Sequence, residues 1–438
     1  MAIKKILFDS DAGRSCMAAL LDRFSVADGG LQEEVADILE RVRKEGDAAV
    51  IEYTQRFDAP QMSAAQLRVS QEEFAAAARQ LDSSFVETLE LASRRIRTFH
   101  ERELEDSWML TREDGTITGR LVRPVDSAGL YVPGGQGGST PLVSSVLMNA
   151  IPAAIAGVAR QVMVTPPSPD GSISPYLLMA AQTAGIDEVY KAGSAWAIGA
   201  LAFGTLSIPK VDVIVGPGNR YVTEAKRQVM GRVRIDMIAG PSEVLILADS
   251  SANPEFIAAD MLAQAEHDSQ ALAVLLTTDA GLADSVLLAL EEQLPGLARA
   301  DVARAALEHQ GVIMVVEDLE TAVRLANDIA IEHLELQVDQ PWLWLPKIRH
   351  AGAIFLGHHT PEAAGDYVAG PNHVLPTMGT ARASSALGVE TFLKKSSIIA
   401  YSPQALVNDA AHIQGLARLE GLTAHANSVT VRVKNDGR

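Results

Sequence analysis

Glu243-Val244-Leu245-Ile246-Leu247-Ala248 is a short apolar run that opens on a carboxylate. The residues after it decide the fold. Residues 254–267 carry apolar side chains at Ile257, Met261, Leu262 and Ala265, the period of a helix, and residues 271–277 return to an apolar run. Strand, helix and strand in that order, without a hairpin turn between the strands, predict a parallel crossover. Downstream, strands are expected at 311–316 and 352–356 and helices at 280–293 and 319–330. Upstream, Val162-Met163-Val164, Glu188-Val189-Tyr190 and Val211 to Val215 read as strands, separated by helical patterns at 174–184, 195–203 and 219–230. The fold class is therefore α/β, with two series of parallel strands covered by helices, which would make two Rossmann-like domains. The N-terminal stretches 31–57 and 71–102 are mostly amphipathic helix. Residues 143–159 form the longest apolar stretch, interrupted by Ser144, Ser145, Asn149 and Pro152, and read as a buried helix pair and not a membrane span. No internal repeat is legible.

Composition bounds the function. A chain of 438 residues can hold two or more domains with sizeable cores. A net charge of -18 argues against nucleic-acid or anionic-membrane partners, whose phosphates it would repel. The single cysteine, Cys16, excludes an intrachain disulfide and suits a reducing cytoplasm. The opening residues Met1 to Leu7 are too short for a signal peptide, so a cytoplasmic location is expected.

The candidate chemistry lies at element junctions. Glu332-His333 follows the helical pattern 319–330 and opens an alternating stretch through Leu334, Leu336 and Val338. An adjacent carboxylate and imidazole can divide proton transfer between an alcohol and a water. Gln264 and His267, three apart on one helix, share a face. Asp366 and His373 flank the turn Gly370-Pro371, and Glu420 and His425 flank Gly421. Imidazoles, a carboxylate and a carboxamide oxygen form a set that suits Zn²⁺ better than Mn²⁺ or Fe²⁺. Each of these residues taken singly reads as structural; their number is what suggests a site. The dinucleotide fingerprint Gly-x-Gly-x-x-Gly is absent. Gly134 to Gly138 and Gly216-Pro217-Gly218-Asn219 are glycine-rich turns at strand ends, open to either an anion or a plain tight turn.

Eight ordered blocks resemble the histidinol dehydrogenase family. They include Gly129-Leu130-Tyr131-Val132-Pro133-Gly134-Gly135, Ser144 to Ala153, Val215 to Asn219 and Ala239-Gly240-Pro241-Ser242-Glu243. The others are Gln264 to His267, Glu332 to Glu335, Gly365 to Thr377, and Glu420 to Asn427. The resemblance implies NAD-dependent four-electron oxidation of L-histidinol to L-histidine through bound L-histidinal, with one Zn²⁺ per subunit. It implies Gln264, His267, Asp366 and His425 as metal ligands, the last from the partner of a homodimer with shared active sites. His333 would take the alcohol proton and Glu332 would activate the water that hydrates the aldehyde. Ser242, His373 and Glu420 would hold substrate with the ligands and His333; Tyr131 and Asn219 would contact NAD. The implied domains are an N-terminal segment 1–25, a discontinuous catalytic domain 26–130 and 236–381, an inserted NAD domain 131–235, and a C-terminal segment 382–438.

Three departures from the family pattern are visible. Trp196 stands in Gly193-Ser194-Ala195-Trp196-Ala197-Ile198 where the family has a glutamine that contacts NAD. Ile331 replaces a proline before Glu332, which relaxes the backbone only modestly. Residues 136–140 are unusually glycine-rich for the segment that would cover the cofactor. Alternatives remain at this point: a zinc- and NAD-dependent paralogue oxidising another primary alcohol such as a sulfonated diol, a zinc hydrolase using Glu332, and a non-enzymatic binding protein.

Overall fold

The computed structural model describes residues 3–23, 29–134 and 140–435. The strands are β1 (Lys4–Leu7), β2 (Trp108–Thr111), β3 (Ile117–Pro124), β4 (Ser127–Tyr131), β5 (Arg160–Thr165), β6 (Glu188–Lys191) and β7 (Val213–Val215). They continue with β8 (Arg234–Ile235), β9 (Glu243–Ala248), β10 (Leu272–Thr277), β11 (Val312–Val315), β12 (His333–Gln337), β13 (Ala353–Leu356) and β14 (Leu393–Ala400). The chain divides into two compact units, residues 1–103 with 125–392 and residues 104–124 with 393–438.

The larger unit holds two parallel sheets. One has the order β6-β5-β4-β7-β8 and the other β1-β11-β10-β9-β12-β13. Setting aside β1, both follow one rule: the first strand in the chain is central, the next two step outward on one side, and the last two on the other. Every pairing in both sheets is parallel. This is the doubly wound order whose switch point lies beside the first strand. The internal repeat that the sequence hides is thus a repeat of topology. The central strands β9, β10 and β12 are buried along their whole length, so β9 and β10 read as apolar runs, whereas β12 alternates and buries the polar side chains of His333, Glu335 and Gln337 as well.

The two crossover series fall where the spacing predicts, within a few residues at each end. Residues 143–159 differ: they form one helix, Val143–Ala156, that passes through Pro152 without breaking. A proline inside a helix frees the carbonyl four residues back. Here that carbonyl, on Met148, accepts a hydrogen bond from Asn372 Nδ2 at 2.7 Å. The replacement partner explains why the helix continues instead of splitting in two.

The smaller unit contains the antiparallel sheet β14-β3-β2 and the helices Pro403–Leu419 and Thr423–Asn435. Among the described residues no helix is long and apolar enough to cross a membrane.

Candidate active site

The amino ends of β9 and β12, adjacent and in register through Val244 and His333, carry the acid and base groups. The helix Leu319–Ile329 ends on Ala330 in the left-handed region (φ 52°), and this reversal delivers Glu332 and His333 to the strand start. Both side chains are buried. The backbone of Glu243 holds them from opposite ends of one residue: its N–H donates to Glu332 Oε2 at 2.7 Å, and its carbonyl accepts from His333 Nδ1 at 3.0 Å. A carbonyl can only accept, so Nδ1 carries the proton and Nε2 is left with its lone pair. Nε2 is buried and has no hydrogen-bond partner among the described residues. Burial pushes the imidazole pKa down to about 3, partly opposed by the Glu243 bond, with His267 and His373 pressing in the same direction as burial. His333 is therefore neutral near pH 7, as a proton acceptor must be.

A second group gathers beside this pair. His267, Glu362 and Asp366 bring one ligand atom each within 4.8 Å of one another. Gln264 is fully buried at the end of the helix Pro254–Ala265 and packs on Glu362. With its amide nitrogen turned to Glu362, it donates to both carboxylate oxygens, at 2.5 and 2.7 Å. The opposite orientation crowds the amide oxygen against those two oxygens, which a cation between them would relieve. Burial raises the pKa of Glu362 well above the ordinary range, and the charges of Asp366, Glu332, Glu335 and Asp260 add to it. Glu332 is raised by burial, against the pull of the Glu243 N–H, and Asp366 is raised by burial against the pull of His267. A buried, mutually repelling acidic group with an imidazole and a carboxamide fits a divalent cation.

Of the metal set expected from sequence, Gln264, His267 and Asp366 converge. His425 and Glu420 lie in the smaller unit, where both are exposed. Glu362, which sits among them, was missed by sequence reading, although its spacing of four from Asp366 on the helix Glu362–Tyr367 was a usable signal. His373 bonds through Nδ1 to the Asp366 carbonyl at 3.0 Å, and burial pushes its pKa down to about 4. Ser242 precedes β9 and is partly exposed, its carbonyl accepting from the Leu272 N–H.

The expected cofactor residues lie at the carboxyl ends of the five-stranded sheet. Tyr131 ends β4 and is 4% exposed, and its hydroxyl accepts from the Ser194 N–H at 3.1 Å. Asn219 caps the helix Arg220–Val229, with Oδ1 accepting from the N–H groups of Tyr221 and Val222. That leaves its amide N–H groups for another partner. The Gly216 turn between them has φ 113°, and a Cβ there would lie 2.1 Å from the Tyr131 carbonyl oxygen. A buried Lys226–Asp236 ion pair fixes the turn, Lys226 donating to the Gly216 carbonyl and Asp236 accepting from its N–H. The segment expected to cover a cofactor, residues 134–140, lies almost wholly outside the described residues.

Trp196, which stands where the family has a glutamine, is held in a packing contact. It is 4% exposed and packs against both Tyr53 and Phe57, its ring centroid 5.6 Å from each, while those two rings lie 6.5 Å apart. Its indole N–H donates to Thr54 Oγ1 at 3.2 Å. It fastens the helix Asp47–Phe57 to the helix Ser194–Phe203 and is spent on packing.

A buried carboxylate–imidazole pair with a fixed tautomer, a cation-competent cluster and two doubly wound sheets define an α/β protein of enzyme type. The comparisons give the particular family. The model of the histidinol dehydrogenase family matches residues 22–433. Histidinol dehydrogenase of Desulfotalea psychrophila is 67% identical, the match covering 99% of this chain and all of the relative. That of Syntrophotalea carbinolica is 53% identical over 98% of each. The crystal structure of histidinol dehydrogenase from Elizabethkingia anophelis superposes with a TM-score of 0.93 at 38% identity, covering all of this chain and 99% of that one. The chain belongs to the histidinol dehydrogenase family, the oxidoreductases of histidine biosynthesis.

Proposed function

We propose that this chain oxidises L-histidinol to L-histidine in two successive NAD-dependent steps, with L-histidinal held between them. The observation that carries the reading is His333, whose Nε2 is an unpartnered, buried lone pair beside the cation-competent cluster. His333 takes the proton of the substrate alcohol at Nε2. Glu332, held by the Glu243 N–H, takes a proton from the water that adds to the aldehyde. NAD supplies the hydride acceptor in each oxidation. A zinc ion at Gln264, His267 and Asp366, with His425 from a second copy, would supply a template for the substrate's imidazole and amine. Glu362, beneath Gln264, orients that carboxamide.

The five-stranded sheet is the proposed coenzyme domain, with Tyr131 and Asn219 at its carboxyl edge, and the six-stranded sheet is the proposed catalytic domain. Ser242, His373 and Glu420 are the proposed substrate contacts. A homodimer is supported by the apolar surface flanking Glu420: Leu416, Leu419 and Leu422 are 64%, 85% and 42% exposed. The test is NADH formation from L-histidinol by zinc-loaded protein, compared with chelated protein and with a sulfonated diol. Zinc-dependent turnover of histidinol supports the reading. Turnover of the diol alone would assign the chain to a paralogous activity.

A further inference from the structure

Arg23 makes four hydrogen bonds, three of them into the scaffold behind the acid–base pair and one to the N-terminal helix that precedes it. Nε and Nη2 donate to the two carboxylate oxygens of Glu243, at 2.6 and 3.0 Å. Nη2 also donates to the Ile329 carbonyl at 3.0 Å, and Nη1 to the Leu20 carbonyl at 2.7 Å. The Glu243 side chain is 3% exposed and that of Arg23 14%.

These contacts close a ring. Ile329 is the last residue of the helix Leu319–Ile329, and only Ala330 and Ile331 separate it from Glu332 and His333. Glu332 and His333 return to the Glu243 backbone, and the Glu243 side chain returns to Arg23. The guanidinium thus ties the end of one chain segment to the other, and the peptide it anchors is the one that selects the His333 tautomer. A buried ion pair adds little net stability compared with well-packed apolar residues, so its value here is geometric. A planar fork that serves two carboxylate oxygens and two carbonyls is specific to arginine.

We infer that the Arg23–Glu243 pair is a positioning device for the reaction, holding the Glu243 peptide so that Glu332 and His333 keep their relative placement and His333 keeps Nε2 free. It touches neither substrate nor cofactor. The inference rests on the proposed roles of Glu332 and His333. The test therefore pairs kinetics with a readout that needs no turnover.

Arg23→Met, Arg23→Lys and Glu243→Gln are compared with the unmodified protein, each checked for folding by circular dichroism and for zinc content. In the full-length protein labelled with ¹⁵N-histidine, the His333 ring signals, assigned by their loss in His333→Asn, report the tautomer. The unmodified protein is expected to show Nδ1 protonated, and Arg23→Met a mixture of tautomers. kcat for the alcohol step should fall on the order of 100-fold in Arg23→Met, with the histidinol KM little changed. Arg23→Lys, which keeps the charge but not the fork, should recover only part of that loss. Added to His333→Asn, Arg23→Met should cost nothing further in the alcohol step. A pure Nδ1–H tautomer with undiminished kcat in folded Arg23→Met overturns the inference, as does full recovery by Arg23→Lys. If Arg23→Met does not fold, the same two readouts on Arg23→Lys and Glu243→Gln decide it. If the unmodified protein does not oxidise histidinol, the functional reading fails, while the tautomer measurement still judges the clamp.

Discussion

At the carboxyl end of β7 the chain turns through Gly216 to Asn219 and presents capping amides and a glycine backbone. At the amino end of β12 it presents Glu332 and His333. The two sheets share one strand order, yet the polar groups of interest sit on opposite edges. Doubly wound sheets bind ligands outside their carboxyl ends, at the switch point. The coenzyme site proposed on the five-stranded sheet follows that rule. In the six-stranded sheet the corresponding carboxyl ends are tied up internally: Asp249 accepts from the Asp339 N–H at 3.1 Å, and Ser251 Oγ lies 3.2 Å from His358 Nε2. What places the proposed chemistry at the other edge is local. The left-handed Ala330 turns the chain onto β12, and the helix Pro254–Ala265, antiparallel to its strand, brings Gln264 and His267 back to the amino ends. A shared topology thus leaves open which edge carries the site.

The contrast can be broken at chosen points. The largest effect is expected for His333→Asn, which removes the proposed proton acceptor at the amino edge. Alcohol oxidation should fall by on the order of 10⁴-fold, measured by NADH absorbance, while zinc content stays near normal. Loss of zinc would mean that base and ligand have been confused. Glu332→Gln should slow aldehyde oxidation more than alcohol oxidation, by roughly 100-fold, measured by supplying histidinal directly. Equal damage to both steps would remove the water-activating role.

At the carboxyl edge, Gly216→Ala forces a Cβ against the Tyr131 carbonyl at a positive φ. Urea unfolding should show a loss of about 3 kcal/mol, with NAD binding weakened even under folding conditions. A neutral result would mean that the turn is plastic.

The smallest effect concerns Asp58, whose Oδ2 is buried without a partner among the described residues and whose pKa burial pushes up to about 7. The folded state keeps a proton that the unfolded state releases near pH 4, so this group costs stability as pH rises from about 4 to 7. Asp58→Asn should raise stability at pH 8 by on the order of 2 kcal/mol and leave pH 4 nearly unchanged. Equal melting shifts at both pH values would contradict that assignment.

Much of this was legible in the sequence, for identifiable reasons. Buried parallel strands such as β9 and β10 are continuous apolar runs, and their crossover helices carry a plain helical period. Gln264, His267 and Asp366 carry side chains whose chemistry advertises itself. Other parts were not legible because no side chain signals them. Glu243 organises the acid–base pair through its peptide N–H and carbonyl, which every non-proline residue possesses. Arg23 acts across 220 residues of sequence. The repeated strand order lies in topology, not in residue similarity. The use of Trp196 was not legible because a position in a family block is not a direction: the indole turns to Tyr53, Phe57 and Thr54. Pro152 suggested a break that Asn372, from a distant segment, makes unnecessary.

The proposed four-electron oxidation is tested most directly by counting NADH. Limiting L-histidinol is taken to completion with zinc-loaded protein and excess NAD. Two NADH per histidinol, with L-histidine as the product, are expected. One NADH with histidinal released, or none, would contradict it.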